Sequence, residues 1–489
     1  MGKQTGHIAA YIAVGKVLAM VLNFVTPLFL TRFLTKADYG IYSQFNTVFL
    51  FLGSIFGMGI QSNLYFFYPS IKDELEKSRL ITNTFLLLTL TTALGVALFL
   101  IPTISNWVLG EGELKKYLFI IVIATWLYVP TRILDPLFTL RKDGKSSVLF
   151  PPIETIGKLM LILLFALIFK DVKYILCSVV IFQLGCFIYA YSYAQHSGMS
   201  FHHYQFDWRE IKKIIAYSLP FGLAVILYTL SSRFDKLICI SYLTTEQYAI
   251  YSLAFFGIPG VMQVYDALCQ VNVMDMAKAY HQNNYKDILL LYRNFVIKTL
   301  SFSLPIITIV FIFAKQIIVL LFTENYIEAV PFFQVYILTF IVAMLGAGTI
   351  LRAINKTRMS LKAYAISVFV YIPVTYLLIK SLGMWGAMTG ALIGNILPRI
   401  IQIRMEISQM KCSFSEYFPI LKMIYIMIIG FGFGLLVYVI NTMLSLSIYG
   451  CGIVGCIYLL IAYYIEIKTG LIANPLLLVF QKYLKRKNG

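Results

Sequence analysis

The chain has 489 residues, 60% of them hydrophobic and 13% charged, with a mean hydropathy of +0.81. Soluble domains carry about 25% charged and 45–50% apolar residues, so this balance excludes both a soluble globular protein and a disordered chain. The formal net charge of +18 would suggest nucleic acid in a soluble protein, but in a polytopic membrane protein one-sided Lys and Arg loops explain it first.

Apolar segments separate at about 8–33, 40–67, 80–102, 117–139, 147–169, 173–194, 217–242, 247–271, 295–320, 331–351, 360–380, 384–406, 417–440 and 445–466. Each can cross ~30 Å of hydrocarbon as a helix of ~20 residues, and none has the short alternation of a barrel strand. The expectation is an all-α polytopic membrane protein of about 14 transmembrane helices. The first run, Ile8 to Leu30, is too long for a signal-peptide core and reads as a retained helix. It carries Lys16. The second segment carries Gly53, Gly57 and Gly59, which read as packing sites. The fourth holds Arg132 and Asp135 at i,i+3, bracketed by Pro130 and Pro136. Each proline removes a helix hydrogen bond, so a bend is expected where those charges sit. The fifth holds Glu154 and Lys158 at i,i+4, one above the other. The longest connection, about 195–216, carries His202, His203, Asp207, Arg209, Glu210, Lys212 and Lys213; it has room for a surface helix but not for a domain. The seventh segment contains Arg233-Phe234-Asp235-Lys236. The twelfth contains Gly386, Gly390 and Gly394 on one face, suited to close helix contact, followed by Arg399.

Loop charge orients the chain. With the N-terminus in the cytoplasm, 26 Lys and Arg residues fall on the cytoplasmic side and 8 on the other, a bias that fixes the topology. Both termini are then cytoplasmic. The Lys482–Lys487 cluster suits anionic lipid headgroups.

Residues 34–43, Leu-Thr-Lys-Ala-Asp-Tyr-Gly-Ile-Tyr-Ser, and 243–252, Leu-Thr-Thr-Glu-Gln-Tyr-Ala-Ile-Tyr-Ser, agree at six of ten positions, 209 residues apart. The copies lie six spans apart. An even offset gives the halves the same orientation, as in parallel repeats related by an axis along the membrane normal. The expected architecture is two parallel six-helix lobes, 1–205 and 206–410, an extra helix pair, 411–467, and a basic cytoplasmic tail, 468–489.

Six basic residues lie within the spans: Lys16, Arg132, Lys158, Arg233, Lys236 and Arg399. Asp135, Glu154 and Asp235 lie at similar depth, Asp266 nearer the surface. Ionisable groups in a spanning helix usually face a wet cavity or a partner. The three deeper carboxylates are candidates for charge pairing, or for coupling to a proton or sodium ion. The basic excess is expected to line a cavity between the lobes and to attract an anionic group; Arg suits phosphate because its planar fork binds two oxygens. No Walker A, H-E-x-x-H or G-x-S-x-G pattern occurs. The seven cysteines form no C-x-x-C and read as small buried hydrophobes. Neither a metal nor a cofactor is expected, nor is an enzyme.

Several stretches carry a family resemblance: Thr31-Arg32-Phe33-Leu34 through Asp38-Tyr39-Gly40-Ile41-Tyr42; Arg233-Phe234-Asp235-Lys236 followed by Tyr248 to Tyr251; Asn355-Lys356; and Gly383-Met384-Trp385-Gly386-Ala387. With these the chain resembles the polysaccharide transporters of the multidrug/oligosaccharidyl-lipid/polysaccharide exporter (MOP) superfamily, in particular Wzx-type O-antigen flippases. Ala249 departs from the first repeat copy, which has Gly40. The resemblance implies two bundles around a V-shaped, alternating-access cavity with a cationic lining. It implies a flippase moving undecaprenyl-diphosphate-linked oligosaccharide, an O-antigen or capsule repeat unit, from the inner to the outer leaflet of a bacterial inner membrane. The diphosphate would be held by Lys16, Arg132, Lys158, Arg233, Lys236 and Arg399. Expected partners are the lipid-linked oligosaccharide, membrane lipids, and a polysaccharide polymerase with its chain-length regulator; nucleic acid is not among them. Two alternatives are a multidrug exporter of the same superfamily, which would present unpaired acidic groups, and a membrane polymerase or ligase of the same glycan pathway, which would need a sizeable external loop.

Overall fold

A computed structural model describes residues 24–141, 143–201, 207–258, 260–444 and 446–471. Among them every regular element is helical. The loops supply the side chains that start these helices. Asp73, Asp143, Asp171, Asp207, Asn284, Ser413 and Ser447 each accept a backbone N–H of the following first turn. Such caps satisfy donors that have no partner inside the helix.

Helices overlie the expected apolar segments from the second to the fourteenth, and Phe24–Phe33 covers the end of the first. Nine of the described helices are long and apolar enough to cross a membrane, or ten if the bent pair Lys36–Gly57 and Ile60–Ser70 is one span. The expected number of fourteen is therefore not established. Several segments are broken. The eighth divides into Thr245–Ala254 and Val261–His281, with Gly260 at φ 87° in the interruption. The ninth divides into Tyr285–Ile312 and Ala314–Phe322. The tenth divides at two glycines in the left-handed region, Gly346 and Gly348, before Thr349–Ala353. The long connection is partly helical, since Trp208–Tyr242 begins at Asp207 and runs without interruption through the seventh segment.

Contacts divide the chain into two compact units. The first reaches Ser252 and also takes Ile372–Gly390; the second takes Leu253–Tyr371 and resumes at Ala391. In the first unit the Leu118–Thr131 helix packs on Lys36–Gly57, Glu74–Phe99 and Val172–His196. Ile81, Phe85, Leu88, Val129, Ile133 and Leu137 form its buried centre. In the second unit Tyr285–Ile312 packs on Val261–His281, Ile420–Leu444 and Ile448–Lys468, around Ile309, Phe313, Val437 and Tyr458. Large apolar side chains such as Phe119, Phe369, Leu421 and Tyr449 stay exposed. Apolar surface on this scale has to be covered, and in long apolar helices the cover is lipid. The protein is a multi-pass membrane protein.

The expected glycine face is present. A Cβ on Gly386 would stand 1.9 Å from the Leu378 carbonyl oxygen, and one on Gly390 2.5 Å from the Thr375 side chain. In the second unit a Cβ on Gly394 would stand 2.8 Å from the Tyr371 ring.

Candidate functional site

The first unit gathers four of the expected residues. The fourth apolar segment is interrupted at Arg132–Ile133, between Leu118–Thr131 and Leu134–Leu140. The proline four residues ahead explains the position: Pro136 has no N–H to give to the Arg132 carbonyl, and its ring crowds that oxygen. The turn closes instead through Arg132 N–H to Val129 O at 3.1 Å and Ile133 N–H to Pro130 O at 3.2 Å. Arg132 is left half-exposed, 3.6 Å from Asp135. Its guanidinium lies over the Tyr128 ring, 5.7 Å from the centroid.

Tyr128 in turn meets Phe49, with ring centroids 4.9 Å apart. Gly53 makes room for it, since a Cβ there would stand 3.0 Å from the Tyr128 ring. Lys158, from the Gly144–Phe169 helix, reaches the other ring of this pair, its Nζ 5.6 Å from the Phe49 centroid. One cation from the break and one from a helix thus each meet a ring of the same aromatic pair, an arrangement worth ~0.5–2 kcal/mol per contact depending on desolvation. Glu154 lies one turn before Lys158 and within electrostatic reach of both Lys158 and Arg132. The four groups balance in charge. Beside them a groove of ≈ 630 Å³ runs between Gly144–Phe169 and Val172–His196, lined by Lys145, Phe150, Glu154, Phe182, Cys186 and Tyr189.

A second group in the same unit is built on the repeat. Thr35 caps the Lys36–Gly57 helix by accepting Asp38 N–H at 3.1 Å. At the matching place in the second copy, Thr244 and Gln247 exchange two 3.2 Å bonds, a reciprocal cap of the kind that stabilises a helix start. The tyrosines that follow are buried in both copies: Tyr39 and Tyr42, Tyr248 and Tyr251. Tyr251 donates to Asp235 Oδ2 at 2.7 Å, and the Tyr248 hydroxyl meets Thr47 Oγ1 at 2.8 Å. The Arg233–Lys236 run is therefore anchored through Asp235, which is 3% exposed; Arg233 and Lys236 are half-buried.

Arg399 belongs to the second unit, where it donates to the backbone carbonyl of Asn395 and to Asn395 Oδ1. Lys16 lies outside the described residues. The second unit also holds groups that the sequence did not single out. Arg352 donates to Cys269 Sγ at 2.8 Å and, with Arg399, is within electrostatic reach of Tyr265. Glu406 is fully buried and accepts Tyr417 O–H at 2.5 Å and Leu351 N–H at 3.1 Å. Glu466 is fully buried, and its carboxylate has no hydrogen-bond partner among the described residues. An acidic residue at the very end of an apolar run was the available signal for both, but such a residue reads equally well as a loop residue.

The fold has solved counterparts. A structure described as lipid II flippase MurJ, inward closed conformation, superposes with a TM-score of 0.73 at 14% identity, covering 94% of this chain and 99% of that chain. An inward-facing multidrug resistance MATE family transporter of the MOP superfamily gives a TM-score of 0.63 at 13% identity, covering 83% of this chain and 99% of that chain. At such identities the likeness is one of fold. Among curated proteins there is no match. The family model described as polysaccharide biosynthesis protein matches residues 29–331, most of the chain, with the Phe49–Tyr128 shelf and both repeat copies inside the matched region. The chain belongs to this polysaccharide biosynthesis protein family.

Proposed function

We propose that the protein is a flippase, not an enzyme, that carries undecaprenyl-diphosphate-linked oligosaccharide, an O-antigen or capsule repeat unit, from the inner to the outer leaflet by alternating access. A hydroxyl-rich glycan and a diphosphate cannot cross hydrocarbon unaided, because each polar group would lose its water. The observation that carries the reading is Arg132 over Tyr128 and Lys158 over Phe49, two cations on one pair of touching rings. Cations suit phosphate; of the two rings Phe49 is buried and Tyr128 half-buried. Membership of the family and the likeness to MurJ support it.

In this reading Arg132 exchanges its long contact with Asp135 for phosphate oxygens. Arg233, Lys236, Arg399 and Lys16 are further candidates for holding the diphosphate, and Asp135, Glu154 and Asp235 for charge pairing or for coupling to a proton or sodium ion. The organisation in this reading is two parallel six-helix lobes, 1–205 and 206–410, and an extra helix pair, 411–467. The setting is a bacterial inner membrane with both termini cytoplasmic. A polysaccharide polymerase and its chain-length regulator would receive the product.

Proteoliposomes holding the full chain and a fluorescent undecaprenyl-diphosphate glycan test this, with quenching of outward-facing label as the readout. The native chain is expected to move the lipid, and the double variant Arg132→Gln/Lys158→Gln to move it at least tenfold more slowly. An inert native chain overturns the flippase reading, and a fully active double variant removes the two cations from it. Efflux of organic cations instead would establish the multidrug-exporter alternative.

A further inference from the structure

A pocket of ≈ 400 Å³ in the second unit is formed where the start of Tyr285–Ile312 meets the turn after Met384–Met410. Lys286, Arg293 and Lys411 line it, against one acidic side chain, Glu416. That carboxylate is already engaged. It accepts Ser413 N–H at 2.7 Å and the Ser413 hydroxyl at 2.9 Å, and those bonds hold it below the usual carboxylate range. Arg293 is fixed by donating to the Glu416 backbone carbonyl at 3.2 Å. Lys286 and Lys411 are exposed, and neither forms an ion pair among the described residues. The walls are apolar: Leu289, Leu290 and the buried Met410.

Three cations from segments more than a hundred residues apart thus converge on a hollow with an apolar wall. A free polar metabolite would gain nothing from the leucines, whereas a lipid headgroup with its glycerol and first methylenes would use both halves. Both segments belong to connections on the side carrying more Lys and Arg, where anionic lipids are attracted. We propose that this pocket binds the headgroup of an anionic phospholipid of the adjoining leaflet, its phosphate among Lys286, Arg293 and Lys411. The inference is independent of what the protein transports.

The purified full chain in neutral detergent micelles tests it. Its thermal midpoint is followed while the micelles are doped with phosphatidylglycerol, with phosphatidylcholine, or with no lipid but soluble glycerol phosphate. The expected result is a rise with phosphatidylglycerol alone. In Lys286→Gln/Lys411→Gln the half-saturating amount should increase about tenfold or more, and in Lys286→Arg/Lys411→Arg it should stay within about threefold of native. Both lysines are exposed, so the pair of variants compares charge without disturbing the core. Three results would each overturn the proposal: the same titration for the Gln variant as for the native chain, an equal rise with phosphatidylcholine, or an equal rise with glycerol phosphate alone.

Discussion

Gly40 lies directly against the carbonyl oxygen of Thr245, where a Cβ built on the glycine would stand 1.9 Å away. The two residues belong to the two copies of the repeat, so the copies meet at their helix starts. The contact also accounts for the one small-residue mismatch between them. Ala249, which matches Gly40, is buried without needing such an approach. Gly40→Ala must therefore push the backbones apart, and a loss of about 1–3 kcal/mol or more is expected. Ala249→Gly, which loses one buried methyl and takes on the helix penalty of glycine, should cost about 1–2 kcal/mol. Thermal melts of the two variants in one detergent check the order; equal melts would contradict the close approach.

The Tyr128 ring joins two cations through its contact with Phe49. Tyr128→Phe keeps the ring and is expected to leave flipping within about twofold of native. Tyr128→Leu keeps apolar volume but removes the face, and with one contact worth ~0.5–1 kcal/mol at a partly exposed site it should slow flipping about two- to fivefold. If the two variants behave alike, the ring face has no part in the site.

Glu406 ties a broken span to the segment that follows its own helix, accepting Leu351 N–H from one and Tyr417 O–H from the other. Removing it strips the buried Leu351 N–H of its acceptor and leaves the Tyr417 hydroxyl with Tyr292 alone. Glu406→Ala should therefore destabilise by about 2–5 kcal/mol, more than Tyr417→Phe at about 1–2 kcal/mol. The double variant should cost less than the sum, because the two changes break one bond. A double-mutant cycle of melting midpoints measures the coupling, and additive losses would argue against the bond.

Asp143 caps the Gly144–Phe169 helix by accepting Ser146 N–H at 3.0 Å, and it also accepts the Tyr193 hydroxyl at 3.0 Å. The bonds from Ser146, first among several, hold its carboxyl below the ordinary carboxylate range. A carboxyl depressed on folding stabilises fully above its unfolded value near pH 4 and loses that contribution as pH falls through the folded value. Asp143→Ala is expected to cost about 1 kcal/mol at neutral pH, the usual worth of such a cap, and the gap from native should narrow on acidification. A gap that stays constant from pH 7 to pH 3 would assign the loss to another cause.

The sequence by itself determined what depends on near neighbours. Long apolar runs placed the helices from the second segment onward, because a backbone in hydrocarbon must satisfy its own hydrogen bonds. Pro136 placed the break at Arg132, and the spacing of Gly386, Gly390 and Gly394 announced a close-packed face. The i,i+3 relation of Arg132 to Asp135 and the i,i+4 relation of Glu154 to Lys158 were legible for the same reason. Only the tertiary structure decided which of these groups share surroundings. Nothing in the order of residues brings Lys158 to Phe49, Gly40 to Thr245, Tyr251 to Asp235 or Glu406 to Leu351. Each pairing depends on how separate helices cross. A polar group at the end of an apolar run carries no periodic signal to say whether it turns to water or inward, and packing settles that by burying it or leaving it wet.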